Sequence, residues 1–406
     1  MPETRDTPPP EDPMPHPTAP SRDELVDAAA KLVPLLRSRA LWIDEHRRLP
    51  DDVIEAIEDS GLLKMQVPVQ YGGYESDIRS YVDVLAEVAR GNSSVAFCLS
   101  VYASLGWMTG LWPDEALDEV YADPHTRVSG TTAPTGTARR TEGGYLLNGS
   151  WGFNSGVLHS QWKITVALPE DSTGPTIPLF CLVPVADLRI EDDWHTTGLR
   201  GSGSVTTVAE NVFVPEHRVI TGADFYQSGG KSRANAAKPA YGVPVLVTTN
   251  ALQIGQLLGA ARYALSAFLE RLPGRPMTYT DYPSQREAPL THLQVGEAAL
   301  LIEDAENRAH RFADRIAAKT ARDEPWSTDE RVASRVQIGW IAQQCKKAVD
   351  ILAQAGGGSS IHQDVPLTRI QRDLHAATVH AMITPGVNVE LYGRSLCGLE
   401  PNSAYL

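Results

Sequence analysis

The sequence is poor in the features that mark several large classes of protein. Its four cysteines lie far apart, without a Cys-x-x-Cys pair, which argues against a disulfide framework and against a bound metal such as zinc. Positive charge is scarce as well, because 36 Lys and Arg stand against 50 Asp and Glu and the net charge is −14. A field of this sign attracts neither nucleic acid nor an anionic membrane surface, so we expect neither as a partner.

Long apolar runs are also missing, since none approaches the roughly 18 residues that are needed to cross a bilayer. The stretch 1–20 is rich in Pro and acidic residues and contains no apolar segment. We therefore expect a disordered tail there and no signal peptide. Scattered single cysteines are typical of a reducing compartment, and these absences together predict a cytoplasmic protein.

The apolar residues that are present change their period twice along the chain. A period of three to four residues predicts helices over 21–124 and again over 241–406, and strict alternation predicts short strands over 125–220. The stretch 221–240, rich in Gly, Ser and Lys, is expected to be a mobile loop. The fold class is therefore α+β and mostly α, with an N-terminal helical domain, a central antiparallel β-domain and a C-terminal bundle of long amphipathic helices.

Two of the expected helices carry capping signals at their starts. Asn92 precedes an apolar segment and is a favourable N-cap residue. Ser327 is followed three residues later by Glu330, which is the pattern of a capping box. Both positions are therefore predicted as helix N-termini.

The most specific motif is the run GSWGFNSG at 149–156. A second loop, GTTAPTG, lies upstream at 130–136. Both resemble the flavin-facing loops of the flavin-dependent monooxygenases that are built on the acyl-CoA dehydrogenase fold. The resemblance runs from about Arg22 to Leu406 and implies that fold, with a C-terminal four-helix bundle.

This resemblance implies flavin contacts for Thr132, Trp151, Phe153 and Ser155. Ser155 is the implied catalytic donor, a hydroxyl beside the flavin that keeps a C4a-hydroperoxide from losing H2O2. The residues alone leave alternatives open. Trp151 and Phe153 also fit the core of a β-domain, Ser155 also fits a turn position, and GTTAPTG also fits an ordinary Pro/Gly turn.

A third motif, GLRGSGS at 198–204, is followed by VFVP at 212–215. It is similar to a signature of the same family, in which Arg200 is implied to pair with a flavin phosphate or with a neighbouring carboxylate. The glycines do not form Gly-x-Gly-x-x-Gly, and no strand-to-helix context surrounds them. No nicotinamide site is therefore predicted.

The run RDLHAATVH at 372–380 resembles a helix of the monooxygenase branch. On a continuous helix Asp373 and His380 fall on nearly the same face, and His375 points about 140° away from His380. His380 lies beside the apolar stripe, where an imidazole can bond a substrate phenol or the peroxide. We predict catalytic roles for His380 and Asp373, with His375 as the second choice and a structural histidine as the alternative.

The sequence departs from the family pattern in two places. Acyl-CoA dehydrogenases of the common type carry a catalytic glutamate in the loop after this helix, but 382–386 reads MITPG here. Without a carboxylate, abstraction of an α-proton from a thioester lacks its base. Several monooxygenases of the branch carry a histidine in the apolar helix that follows Asn92, and this chain has none there. We expect Tyr102, Ser104 and Trp107 to line the substrate pocket together with His380.

Two further positions match the family more loosely. Arg275 falls near an arginine that holds a flavin phosphate. Gly357, in the run AGGGSS at 355–360, matches a glycine loop through which one subunit contacts the flavin of its neighbour. A solvated loop between helices is the alternative for both.

The resemblance as a whole implies the oxygenase component of a two-component flavin-dependent monooxygenase. Its cofactor is expected to be FAD or FMN in reduced form (FADH2 or FMNH2), delivered by a separate NAD(P)H-dependent flavin reductase. O2 and a small electron-rich aromatic substrate, phenol-like or indole-like, complete the reaction, and a homotetramer is expected. The rival hypotheses are N- or S-oxygenation by the same intermediate, an acyl-CoA dehydrogenase, and a non-enzymatic flavin carrier.

Overall fold

The computed structural model describes residues 19–123, 125–170, 176–226 and 230–406. The predicted tail at 1–20 therefore lies outside the described residues except for its last two positions. No helix in the described ranges is both long enough and apolar enough to span a membrane.

The chain begins with helices that pack around one long apolar core. Asn92 caps α5 by accepting the N–H groups of Ser94 (2.9 Å) and Val95 (3.2 Å), so the predicted cap is confirmed. α5 is buried along almost its whole length, because it lies between the β-domain and the C-terminal helices. The N-terminal helices are α1 (Arg22–Ser38), α2 (Ala40–His46), α3 (Asp51–Asp59), α4 (Ile78–Ala89), α5 (Ser93–Thr109) and α6 (Asp114–Val120).

The central region is a single sheet in which most strand pairs are antiparallel and two are parallel. Its path is β6-β7-β3-β2-β4-β5-β8, and β1 joins beside β4. The predicted antiparallel domain is corrected in one respect, since β4 pairs in parallel with both β1 and β2. The strands are β1 (Val128–Gly130), β2 (Gly136–Thr141), β3 (Gly144–Trp151), β4 (Trp162–Pro169), β5 (Leu179–Pro184), β6 (Arg189–Ile190), β7 (Thr207–Pro215) and β8 (Val219–Thr221).

After the sheet come α7, which packs against β8 and β5, and the helices of the C-terminal domain. Ser327 and Glu330 make the reciprocal bonds of a capping box at the start of α11, as predicted. α9, α10, α11 and α12 pack side by side, and α13 lies against α11. The helices are α7 (Gly222–Tyr226), α8 (Val245–Leu252), α9 (Ile254–Glu270), α10 (Pro289–Ala321), α11 (Thr328–Ala355), α12 (Pro366–Thr378) and α13 (Pro385–Leu396).

The stretch expected to be a mobile loop is tied down in its described part. It begins with α7. Residues 227–229 lie outside the described residues, and two side chains after them are anchored by hydrogen bonds. Ser232 donates to Asp114 (2.6 Å), and the Asn235 amide donates to the carbonyl of Gly110 at the end of α5 (3.0 Å). These bonds hold the described part of this stretch against the end of α5 and the start of α6.

A close backbone contact joins the β-domain to the C-terminal helices. A Cβ at Gly198 would overlap the carbonyl oxygen of Arg372, so only glycine allows the 198–204 loop to reach α12. Beside it, the backbone N–H of Leu199 donates to the Asp373 carboxylate at 2.7 Å. The site described next lies at this junction.

Candidate active site

A cavity of about 450 Å³ lies where α5, α8, the β-domain loops and the end of α12 meet. Its wall is largely apolar, and α5 contributes Phe97, Val101, Leu105 and Met108. Among the described residues, no Asp, Glu, Lys or Arg lines it. The cavity therefore suits an uncharged planar ligand, and it offers no carboxylate to abstract a proton.

Phe153 presents its ring to this cavity. Its backbone is left-handed, with φ of 62°, and the side chain is 76% exposed. The ring stands edge-to-face against Trp194, which also lines the cavity, with the ring centroids 5.9 Å apart. A strained backbone that turns an aromatic ring out of the core is typical of a functional position.

Trp151 lies elsewhere, inside the β-domain. The side chain is fully buried, and its indole N–H donates to the carbonyl of Val166 at 2.8 Å. A Cβ at Gly136 would overlap the indole ring, so the strands close tightly around it. Trp151 does not line the cavity, and its position fits the core alternative rather than the predicted flavin contact.

Ser155 lines the cavity at one end of a chain of hydroxyl groups. Ser202 donates to the carbonyl of Leu199 (2.7 Å), and the oxygen of Ser204 lies 2.7 Å from that of Ser202 and 2.6 Å from that of Ser155. Each hydroxyl has one proton. Either oxygen of each serine pair can be the donor; with the Ser202 proton on Leu199, Ser204 donates to Ser202 and Ser155 donates to Ser204.

This direction differs from the role that the sequence predicts for Ser155. The predicted role is that of a donor to the flavin, whereas the chain turns the Ser155 proton away and leaves its lone pairs toward the cavity. Ser155 is therefore placed to accept a hydrogen bond from a bound N–H group. In the sequence, the two serines of GLRGSGS stand out only as part of a family signature, and their spacing of two residues is the one local signal of a shared hydrogen-bonded turn.

The loop after β1 supplies further polar groups. Thr131 and Thr132 both line the cavity. The N–H of Thr131 donates to the carbonyl of Ile164 (3.2 Å), which fixes the loop against β4. Thr132 thus stands at the cavity wall, where the sequence predicts it.

The three predicted substrate residues of α5 separate in the structure. Ser104 lines the cavity, and its buried hydroxyl has no hydrogen-bond partner in the described part of the chain. Tyr102 instead donates to the carbonyl of Gly156 (2.8 Å), which positions the turn next to Ser155. Burial raises the pKa of the Tyr102 phenol well above its ordinary value. Trp107 lines a second cavity, while the next residue of the helix, Met108, lines the main one.

His375 and His380 both line the main cavity, contrary to the predicted 140° separation. The reason is that α12 ends at Thr378, so the helical period no longer applies at His380. His380 is exposed at the cavity wall, yet the protein packed around it desolvates the imidazole and lowers its pKa below the ordinary value. Its Nδ1 accepts the N–H of Met382 at 3.3 Å.

Asp373 and Arg200 do not line the cavity, and both hold the adjoining loop in place. Asp373 is buried, and that burial raises its pKa to about 7, although the Leu199 N–H opposes the shift. Arg200 donates to the carbonyls of Asp44 (2.7 Å) and Thr196 (3.0 Å). Nε of Arg200 also lies 3.9 Å from a carboxylate oxygen of Asp44, so of its two predicted partners the structure shows the neighbouring carboxylate. Both residues thus make positioning contacts, and a catalytic role of Asp373 stays a prediction.

Arg275 and Gly357 come together, but at the opposite end of α12 from the cavity. Arg275 donates to the carbonyl of Gly356, and a Cβ on Gly357 would lie 3.2 Å from its guanidinium. The loop 355–360 accepts a hydrogen bond from Thr368 near the start of α12. His380 follows the end of the same helix. The ten helical steps from Thr368 to Thr378 rise about 15 Å, and neither Arg275 nor Gly357 lines the cavity of its own chain.

Several cavity residues were missed by sequence analysis. Asn250 and Gln253 reach it from α8, which carries no recognised motif. Tyr405 reaches it from the end of the chain and is held through Arg335. That buried guanidinium donates to the carbonyl of Tyr405 (2.6 Å) and to the hydroxyl of Ser403 (2.9 Å).

Comparison with known proteins identifies the family. Family models for the acyl-CoA dehydrogenase N-terminal and C-terminal domains match residues 21–125 and 251–385. An FADH(2)-dependent resorcinol hydroxylase, oxygenase component, from a Rhizobium species is 31% identical over 393 residues, which cover 94% of this chain and 96% of that protein. The chain belongs to the flavin-dependent monooxygenases of the acyl-CoA dehydrogenase fold.

Other members of this monooxygenase family agree in sequence and structure. The oxygenase subunit HsaA of a flavin-dependent monooxygenase from Mycobacterium tuberculosis is 30% identical and covers 92% of this chain and 95% of its own. The solved structure of XiaF from a Streptomyces species, in complex with FADH2 and glycerol, superposes with a TM-score of 0.89 at 32% identity and covers 95% of this chain and 98% of its own. The protein is thus a reduced-flavin-dependent monooxygenase oxygenase component, and the predicted fold and enzyme class are confirmed.

The cavity of this monooxygenase fits a flavin ring on chemical grounds. Thr131, Thr132 and Ser155 supply polar groups from the β-domain loops, and Phe153 supplies an apolar ring. Such an arrangement matches a flat heterocycle with one polar edge. Within the described ranges, no group of three or more His, Cys, Asp or Glu side chains is placed to hold a metal ion.

Proposed function

We propose that this protein uses reduced FAD or FMN, delivered by a separate NAD(P)H-dependent flavin reductase, to hydroxylate a small neutral aromatic molecule of the phenol or indole type. The observation that carries the proposal is a cavity in which the described residues place no Asp, Glu, Lys or Arg and leave a buried hydroxyl, that of Ser104, without a partner. A bound reduced flavin supplies the electrons and the activated oxygen. The chain's own residues bind and orient the substrate and exclude water.

The substrate class follows from the cavity wall. Phe97, Leu105 and Met108 pack against a ring, and Ser104 and Asn250 offer polar atoms to a hydroxyl or ring N–H. An aromatic molecule without such a group would leave the Ser104 hydroxyl unpaired, which costs about 1–3 kcal/mol. This favours ring hydroxylation of a phenol or indole over S-oxygenation of a thiophene-like ring, which carries no such group. The proposal also agrees with relatives described as resorcinol hydroxylase and indole-3-acetate monooxygenase.

The reaction is tested with purified protein, FAD or FMN, NADH, O2 and a generic flavin reductase. We expect a phenol or indole from a substrate panel to gain one oxygen atom in mass, and we expect the protein without reductase to leave NADH unchanged. Rapid NADH consumption by the protein alone would contradict the two-component assignment. Desaturation of an acyl-CoA in the presence of an electron acceptor would contradict the monooxygenase assignment.

The serine chain predicts a preference for reduced flavin. Reduced isoalloxazine carries an N–H at N5, where the oxidised ring has only a lone pair. With its own proton on Ser204, Ser155 would accept this N–H from the reduced form and would repel the lone pair of the oxidised one. Ser155→Ala is expected to weaken reduced-flavin binding about tenfold and to divert oxygen from product to H2O2. Both are measured by anaerobic titration and by the product-to-oxygen ratio.

The controls for this prediction separate the hydroxyl from the turn that carries it. Ser160→Ala removes a hydroxyl of the same turn that donates to Gly156 (3.0 Å) and does not line the cavity, so coupling should remain near wild type. Ser204→Ala removes the acceptor of the Ser155 proton and should reduce the discrimination between the two flavin states. Equal affinity of the wild type for both states would contradict the proposed direction of the chain.

A homotetramer is part of the same proposal. α10 and α13 expose apolar side chains, among them Leu293 (72%) and Leu396 (70%), and such surfaces are typical of subunit interfaces. Arg275 and Gly357, which lie away from their own cavity, are proposed to contact the flavin of a neighbouring subunit. Native mass spectrometry should give four chains, and a monomer at micromolar concentration would exclude this assembly.

A further inference from the structure

A second cavity lies behind the wall of the main one. Its volume is about 290 Å³, at the lower end of the roughly 300–1,000 Å³ that is usual for small-molecule sites. Trp107 and Thr248 line it, while their neighbours Met108 and Thr249 line the main cavity. The packed helices α5 and α8 thus separate two cavities that share no lining residue.

The floor of the second cavity is aromatic. Trp107 stacks on Tyr241, with the ring centroids 5.3 Å apart and the planes only 8° from parallel. Val243 and Ile316 are buried beside them and complete an apolar floor. Such a surface favours a flat apolar ring over water.

One buried hydroxyl in this cavity is uncommitted. Threonines in helices commonly bond the carbonyl four residues earlier, and Thr249 (to Val245, 2.9 Å) and Thr320 (to Ile316, 2.8 Å) do so. Thr248 is 3% exposed, yet its hydroxyl has no partner in the described part of the chain. It can therefore donate to or accept from a ligand.

The charged groups at the edge of the cavity are already satisfied. Glu75 forms an ion pair with Lys238, and Asp77 caps α4 through the N–H (2.9 Å) and hydroxyl (2.6 Å) of Ser80. A charged ligand would find no free counter-charge among them. The mouth is lined by the small exposed side chains of Ala240, Ala317 and Ala321, and these leave it open.

We propose that this cavity is a second binding site, distinct from the flavin-dependent site, for a small neutral aromatic molecule that carries one N–H or hydroxyl group. The ring lies on Trp107 and the polar group bonds to Thr248. The assignment depends on the lining alone and not on the proposed reaction. α5 and α8 contribute residues to both cavities. A ligand in the second cavity therefore also contacts the helices that shape the main one.

The test compares indole with indene, which has nearly the same shape but no N–H, on the full chain without flavin. Calorimetric titration of wild type with indole should show two sites per chain, and a crystal soaked in indole should show it beside Trp107. Thr248→Val keeps the shape but removes the hydroxyl. It should weaken the second indole site about three- to tenfold and leave indene binding unchanged.

Ala317→Trp covers the mouth and serves as the blocking variant. It should remove the second site while the main site still titrates, and it should fold normally because Ala317 is exposed. Ordered water alone beside Trp107 at saturating indole, or unchanged stoichiometry in Ala317→Trp, would overturn the proposal. Failure of the hydroxylation assay would leave this titration unaffected, so the two proposals fail separately.

Discussion

Replacement of His380 by alanine is expected to lower the rate of product formation by about 10²- to 10⁴-fold while reduced flavin still binds. His380 lines the cavity, and its lowered pKa keeps the imidazole neutral at pH 7. Because Nδ1 accepts the N–H of Met382, the neutral ring carries its proton on Nε2. His380 is therefore a hydrogen-bond donor toward a substrate oxygen.

The donor role distinguishes the two amide substitutions of His380. A glutamine places an N–H near the position of Nε2, so His380→Gln should recover part of the activity, whereas His380→Asn places its amide near Nδ1 and should not. His375→Ala, which changes the other cavity imidazole, should cost less. Single-turnover measurements with reduced flavin give these rates, and full turnover in His380→Ala would return this residue to a structural role.

Asp373→Asn is expected to change the pH dependence of folding stability. Burial is the main cause that raises the pKa of Asp373 to about 7 in the folded protein, while an unfolded aspartate titrates near 3.9. The folded state therefore prefers the neutral acid. The stability that this preference contributes is complete below pH 4 and is lost as the pH rises through about 7.

The size of this effect follows from the shift of about three pH units, which corresponds to roughly 4 kcal/mol. Asparagine keeps an acceptor for the Leu199 N–H without a titrating charge. The free energy of unfolding of the variant should thus rise relative to that of wild type as the pH increases from 4 to 8. Urea unfolding at fixed protein concentration measures this difference. Parallel stability profiles of the two proteins across this range would show that Asp373 does not titrate as described.

The overall architecture was predictable because it depends on patterns along the chain. The change of apolar period marks the β-domain between two helical domains, and Asn92 and Ser327 fix helix starts through their own side chains. The motifs also lead to the correct family. Two of them, the GLRGSGS loop and the 372–380 segment, meet in space through Gly198. Local signals of this kind are readable from one sequence.

The details of the cavity were not predictable, because they depend on where elements end and what packs across them. A helical period places His375 and His380 on different faces, and only the end of α12 at Thr378 brings both to one cavity. The direction of the hydroxyl chain depends on the carbonyl of Leu199, which no side-chain pattern reveals. Asn250 stands in an apolar helix without a motif, so nothing along the chain marks it.

The clamp that holds Tyr405 has a consequence for how substrate range can evolve. Arg335 grips the carbonyl of residue 405 and the hydroxyl of Ser403, not the phenol ring. The backbone of this segment therefore keeps its place whichever side chain residue 405 carries. Tyr405 lines the cavity, so a single codon change there is expected to reshape the space around a substrate at little cost to folding. Position 405 is thus a point where new specificities can arise without compensating mutations in the core.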